Sequence, residues 1–194
     1  GEEEKVLPRL ASGRDPLSLP GVWWRHADTI RGSQPEQIGD LDSLSFPTLE
    51  LLDMDFYTRP GKAAIRAQYL STLALVTARG CSQRCEFCSE SLTYGSGVRL
   101  HSPEYVLAWI KEIVSEYSVE ALYFHDNDFL VDRARAIAIC EKLITADLHR
   151  KIRFAIQTRV NRLDPEILRL LKRAGCTLVE MGIEAVSQTQ LDSV

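Results

Sequence analysis

Apolar and polar positions fall into a regular alternation only after Gly61. Leu73–Thr77 is a short apolar run of strand length that ends at Arg79-Gly80, and a cysteine-rich loop follows it. From Ser102, placed as an N-cap with Pro103 in the first turn, the apolar residues Val106, Leu107, Ile110, Ile113, Val114 and Tyr117 recur at helical spacing. Ala121–Phe124 reads as a second strand and runs into the acidic loop His125-Asp-Asn-Asp128. The next helix is expected to carry Ile137, Cys140, Ile144 and Leu148 on one face. A third strand covers about 153–157, and a helix entered through Asp164-Pro165 closes at Gly175. A fourth strand covers 177–183, after which Ser187-Gln-Thr-Gln190 is a capping box that opens one more helix. Strands alternating with helices predict βα units, a parallel sheet and an α/β fold. The pattern alone leaves open whether that sheet is open or part of a barrel.

Before Gly61 the picture is different. Residues 1–19 are polar and charged, opening with Glu2-Glu3-Glu4, and read as a short helical end or a solvated tail. From Pro20 to Gly61, prolines at 20, 35, 47 and 60 and glycines at 21, 32, 39 and 61 give linker composition with little periodicity. Trp23, Trp24, Phe46, Leu49, Leu51, Leu52 and Phe56 supply apolar anchors, so this stretch is expected to pack on a folded body. The opening residue is Gly, and the last residues enter a new helix. The expectation is a piece cut at both ends.

Composition narrows the function classes. A formal charge of −4 offers no basic surplus, so nothing here indicates a nucleic-acid partner. No apolar run approaches the ~18 residues of a membrane span, and no signal-peptide pattern opens the chain. Of five cysteines, three fall between positions 81 and 88, which suits a metal site in a reducing compartment, the cytoplasm by default, better than a disulfide framework.

Those three lie in Thr77-Ala-Arg-Gly-Cys81-Ser-Gln-Arg-Cys85-Glu-Phe-Cys88, a CxxxCxxC spacing on a loop directly after a strand. Such thiolates can converge on one soft-metal site. A free thiol is only about 3% ionised at neutral pH, so metal binding must drive deprotonation, with Arg79 and Arg84 placed to assist. Most [4Fe–4S] clusters take four cysteines and this neighbourhood supplies three, which leaves one iron open. Cys140, on an apolar helix face, and Cys176, at the far end of the fourth strand, are not expected to be ligands. A competing reading is a closed structural zinc site completed by His101 or His125, although the histidines do not follow zinc-finger spacing.

CxxxCxΦC after the first strand of a βα repeat, with Phe87 as the aromatic, resembles the radical S-adenosylmethionine (SAM) superfamily. The resemblance implies that Cys81, Cys85 and Cys88 hold a [4Fe–4S] cluster and that SAM chelates the open iron. It further implies that an electron, delivered by a donor such as flavodoxin or ferredoxin, cleaves SAM to a 5′-deoxyadenosyl radical that acts on a small-molecule substrate. A six-strand partial TIM barrel is implied, of which four βα units are visible.

In parallel βα folds functional residues collect at the carboxyl ends of strands. This singles out Asp126, Asn127 and Asp128 after the second strand, Thr158, Arg159 and Asn161 after the third, and Glu184 after the fourth. By position, Asp126 or Asp128 would contact the SAM amino group, although His125-Asp-Asn-Asp-Phe129 departs from the Gly-Gly-Glu-like sequence common there. Arg159 and Glu184 would lie near the SAM ribose or carboxylate, or pair with each other.

Further phrases, Arg159-Val-Asn161, Ala174-Gly-Cys176 and Gly182-Ile-Glu184 among them, resemble the radical SAM core found downstream of cobalamin-binding domains. On that reading residues 1–19 are the remnant of a preceding, cobalamin-binding domain, 20–66 a linker packed on the core, and 67–194 the core, cut after its fourth strand. Cobalamin-linked methyl transfer or another radical modification is the implied chemistry.

Overall fold

The computed structural model describes residues 2–59, 70–94 and 97–191. A short helix, α1 (Leu7–Ala11), is followed by a hairpin of β1 (Trp23–His26) and β2 (Thr29–Gly32), and then by α2 (Met54–Tyr57). After β3 (Thr72–Leu75) come β4 (Ala78–Arg79), α3 (Glu90–Tyr94) and β5 (Arg99–Leu100). The regular part then runs α4 (Pro103–Glu116), β6 (Ala121–Phe124), α5 (Arg133–Thr145), β7 (Arg153–Arg159), α6 (Pro165–Ala174), β8 (Cys176–Gly182) and α7 (Gln188–Leu191).

Four of the strands form one parallel sheet in the order β3-β6-β7-β8, with Leu75 opposite Phe124 and Phe124 opposite Ile156. The pleat sends alternate residues to opposite faces. Leu75, Leu122, Phe124, Phe154 and Ile156 face a helical layer contributed by Val106, Ile110 and Ile113 of α4, Ile139 and Leu143 of α5, and Ile167 and Leu171 of α6. β6, flanked on both sides, is buried at every position, as a central parallel strand must be. The strand order never reverses and all three connecting helices cover the same face. That is the winding of a β/α barrel wall rather than of a doubly wound sheet.

The helix ends follow their local chemistry. The side chains of Ser102, Asp132 and Asp164 each accept a hydrogen bond from an amide in the first turn of α4, α5 and α6, and Gly175 closes α6 at φ +103°.

Several sequence expectations shift. The buried face of α5 is Ala136, Ile139, Cys140 and Leu143, with Ile137 and Ile144 at its margin. The helix stops at Thr145, and Leu148 reaches the core from a separate turn begun by Asp147 at φ +55°. The expected single face carried on through a helix end that the periodicity does not mark. Residues 23–32, read as linker, pair as a hairpin, and Trp23 lies across Gly32 while remaining 56% exposed, so it packs on its own hairpin and not on the core. The polar N-terminus does form the short helical end expected of it, α1, and its first residues are tied down by the buried Glu2.

Candidate active site

The parallel sheet brings the carboxyl ends of β3, β6, β7 and β8 to one end of the molecule. The residues singled out from the sequence as chemical candidates lie in the segments that leave those ends or, for Thr158 and Arg159, in the last residues of β7.

The cysteines occupy the longest of these segments. β4 and β5 pair antiparallel, Ala78 with Leu100 and Arg79 with Arg99, and so close a neck at the base of the loop. Gly80 turns the chain out of that neck at φ +86°, where a Cβ would stand 2.2 Å from the carbonyl oxygen of Gly97. No other residue can take that position. Beyond it, Cys81 and Cys85 are partly buried and Cys88 is exposed. The Cys88 amide donates to the Cys85 carbonyl at 3.0 Å. Phe87 is 64% exposed. Among the described residues, no three His, Cys, Asp or Glu side chains are gathered into a ready-made metal site, these cysteines included. The fit to a metal therefore rests on the donor set: three soft, accessible sulfur ligands on one short loop with a fixed neck. The other two thiols do not fit. Burial pushes Cys140 and Cys176 each up to about 12, so neither is a thiolate near neutrality.

The two arginines of the neck are held from the N-terminal segment. Arg79 pairs with Glu4 and Glu2, and Arg99 with Glu2, whose other oxygen accepts from the Ile38 amide at 2.7 Å. Burial alone would raise Glu2, but Arg99, the Ile38 amide and Arg79 together outweigh it and hold the carboxyl below its usual range. Arg79, expected to assist thiol deprotonation, is thus already neutralised. Arg84 is exposed, and no ion pair engages it among the described residues.

The acidic loop after β6 turns inward. Asp126 is fully buried and accepts from Thr77 N (2.6 Å), Thr77 Oγ1 (2.6 Å) and Ala78 N (2.9 Å). Burial pushes its carboxyl up, and the Thr77 donors and Arg135 only partly pull it back. Both oxygens are engaged by the segment that leads into the cysteine loop, so Asp126 does not face an open site as the sequence reading had it. Asp128 is buried likewise, accepting from Thr158 Oγ1 at 2.7 Å and lying 3.4 Å from Arg162 Nε. Asn127 donates to Glu90 at the start of α3 at 2.9 Å, and His125 is exposed beside Tyr123.

At the other exits, Arg159 is half-buried and Asn161 exposed. Glu184 is exposed at φ +60°, with its carboxylate folded back over Gly182 so that a Cβ there would lie 2.0 Å from Oε1. Arg159 and Glu184 form no ion pair among the described residues. His101 is buried, bonded through Nδ1 to Asp42 at 3.1 Å and stacked on Tyr105, and among the described residues it joins no group of three metal-binding side chains.

Sequence reasoning missed two groups. Thr77 and Arg162 are partners of the acidic loop, and their only sequence signal is position at a strand exit. The second group is on the sheet face away from the helices, where Tyr123 donates to Glu180 at 2.7 Å and Gln157 donates to both. Their sequence signal is two-residue periodicity, which puts Tyr123 and Gln157 on the face opposite Phe124 and Ile156.

The family profile described as Radical SAM superfamily matches residues 75–194. An uncharacterized methyltransferase of Pyrococcus horikoshii is 28% identical over 192 residues, covering 98% of this chain and 40% of its own length. An anaerobic magnesium-protoporphyrin IX monomethyl ester cyclase of Rubrivivax gelatinosus is 34% identical over 119 residues, 60% of this chain and 21% of the relative. The chain thus spans well under half the length of these relatives. Among solved structures, the radical SAM methyltransferase TsrM of Kitasatospora setae, with tryptophan and a SAM analogue bound, superposes with TM-score 0.72 at 17% identity, over 98% of this chain and 38% of that one. The cobalamin-dependent SAM radical enzyme OxsB, with aqua-cobalamin and SAM bound, gives 0.75 at 20% identity, over 97% and 27%. No helix among the described residues is long and apolar enough to cross a membrane. A profile match across more than half the chain, taking in the cysteine loop and every strand exit, makes this chain a member of the radical SAM superfamily of enzymes.

Proposed function

We propose that this chain is the cluster-bearing core of a radical SAM enzyme, in which Cys81, Cys85 and Cys88 hold a [4Fe–4S] cluster whose fourth iron binds SAM. The observation that carries the reading is the difference in setting among the five thiols: Cys81, Cys85 and Cys88 lie together on one necked loop at the carboxyl end of the sheet, whereas Cys140 is buried in α5 and Cys176 is half-buried at the start of β8, and burial pushes both of these up to about 12. When bound, the cluster and SAM supply one-electron cleavage of the sulfonium and a carbon radical that abstracts hydrogen.

The chain's own residues supply binding, placement and shielding. Metal uptake gathers the three sulfurs and displaces their protons in one coupled event. Phe87, Arg159 and Glu184 keep the exposure that a cofactor contact needs. Arg159 offers a forked donor to the SAM carboxylate, and Glu184 offers an acceptor to the ribose hydroxyls or the ammonium. Asp126 and Asp128 act one step back. Asp126 holds the entry to the cysteine loop, and Asp128 holds Thr158 and Arg162 beside Arg159.

Relatives named as methyltransferases and the likeness to solved structures with cobalamin bound support methyl transfer in a cobalamin-dependent protein. A flavodoxin- or ferredoxin-type electron donor and a small-molecule substrate complete the proposal. The test is anaerobic reconstitution with iron and sulfide. Wild type should take up about four irons per chain and Cys85→Ala almost none. Stoichiometric zinc with no iron would overturn the reading, as would full iron in the variant.

A further inference from the structure

Arg135 lies in the first turn of α5, and nothing in the proposed chemistry uses it. It is nonetheless a cation at 6% exposure. Its Nε donates to the His101 carbonyl at 2.7 Å, and Nη2 donates to the Thr77 carbonyl at 3.0 Å and to Thr77 Oγ1 at 2.8 Å. Thr77 immediately precedes β4 and His101 immediately follows β5, so one guanidinium spans both ends of the segment that carries the three cysteines. The His101 amide donates to the same Thr77 carbonyl at 3.0 Å, and Asp126 holds Thr77 from its other side. Every polar group of Thr77 is engaged in this way. Asp132, accepting from the Arg135 amide at 2.9 Å, fixes the helix turn from which the guanidinium reaches in.

Ordinary packing does not explain a charge here. Buried ion pairs contribute little to stability compared with apolar residues of the same volume, and the rest of this helix face is apolar. A planar fork has one property an apolar residue or a lysine lacks, which is that it holds two backbone acceptors at a fixed separation and orientation.

We infer that Arg135 is a positioning residue for the cluster loop: it sets the spacing of Thr77 and His101, and with it the frame on which Cys81, Cys85 and Cys88 close around iron. The inference rests on the reading that this loop holds an iron–sulfur cluster.

The test uses the anaerobically reconstituted protein and follows iron release to a colorimetric chelator, together with the EPR spectrum of the reduced cluster. Arg135→Gln should still bind iron but release it about 10 to 100 times faster than wild type, the range typical for lost outer-sphere partners, with broadened g-values. Arg135→Lys, which keeps the charge but not the fork, should resemble the Gln variant more than wild type. Ile139→Ala, on the same helix, lowers the melting temperature without touching the neck and should release iron at the wild-type rate. Should Arg135→Gln not fold, Thr77→Val removes the hydroxyl shared by Arg135 and Asp126 and should release iron several-fold faster, whereas Asp126→Asn, which loses the Asp126 half of that contact alone, should release it more slowly than Thr77→Val; equal release from the two would overturn the inference. Wild-type release from Arg135→Gln, or equally fast release from Ile139→Ala, would overturn the inference while leaving the cluster reading intact. A wild-type protein that takes up no iron overturns both.

Discussion

Replacing Asp126 separates a residue that holds the cysteine loop from one that touches the cofactor. Asp126→Ala leaves Thr77 N, Thr77 Oγ1 and Ala78 N without an acceptor at a fully buried position and removes the carboxylate nearest Arg135. Removing one partner of a buried charged network costs about 3–5 kcal/mol, a large part of the 5–15 kcal/mol that holds a typical domain together. For a domain of this size each kcal/mol moves the midpoint by roughly 2–4 °C, so a fall of about 6–20 °C is expected. Asp126→Asn keeps an oxygen for the two amides but loses the charge and the acceptor for the Thr77 hydroxyl, and should cost about 1–3 kcal/mol. Thermal melts by circular dichroism give both numbers, and SAM titration of the reconstituted protein supplies the contrast. Melting within about 1 kcal/mol of wild type, together with lost SAM affinity, would refute the reasoning and return Asp126 to the cofactor.

Three further outcomes follow. Gly182→Ala puts a methyl group where the Glu184 carboxylate now lies, 2.0 Å from Oε1; a flexible side chain moves aside easily, so melting should hold while SAM dissociates about tenfold more readily, a loss of about 1.4 kcal/mol, and unchanged affinity would remove Glu184 from the SAM contacts. Burial holds His101 below its ordinary value of 6.5 despite the pull of Asp42. The unfolded chain therefore binds more protons just below 6.5, and stability should be full above that value and fall as pH drops through the window beneath it. Urea midpoints should lose this slope in His101→Gln, and an unchanged slope would assign the titration elsewhere. Cys140→Ser and Cys176→Ser should leave iron content unchanged, since thiols pushed up to about 12 are not thiolates near neutrality; iron lost from either would mean that a ligand has been misplaced.

How far the sequence reached depends on whether a feature is local. Alternation, caps and Pro/Gly punctuation located β6 to the residue and α6 with both its ends, because each is specified by neighbours in sequence. The cysteine spacing is equally local and led directly to the family. The interior of the acidic loop was not legible: Asp126 and Asp128 look alike in sequence, and only the third dimension shows both turned inward to Thr77 and Thr158. The neck was hidden for the same reason, since Arg79 and Arg99 are twenty residues apart and their partner Glu2 lies in a stretch whose composition suggested solvent. The hairpin at 23–32 escaped because its strands are short and its turn, Ala27-Asp28, places a positive φ on alanine in place of glycine.

On the proposed function, three protein thiolates leave one iron open and SAM fills it. Low-temperature EPR of the reduced, reconstituted protein with SAM labelled in its carboxylate tests it most directly. SAM should shift the g-values, and the label should produce hyperfine coupling to the cluster. A spectrum indifferent to SAM would contradict it.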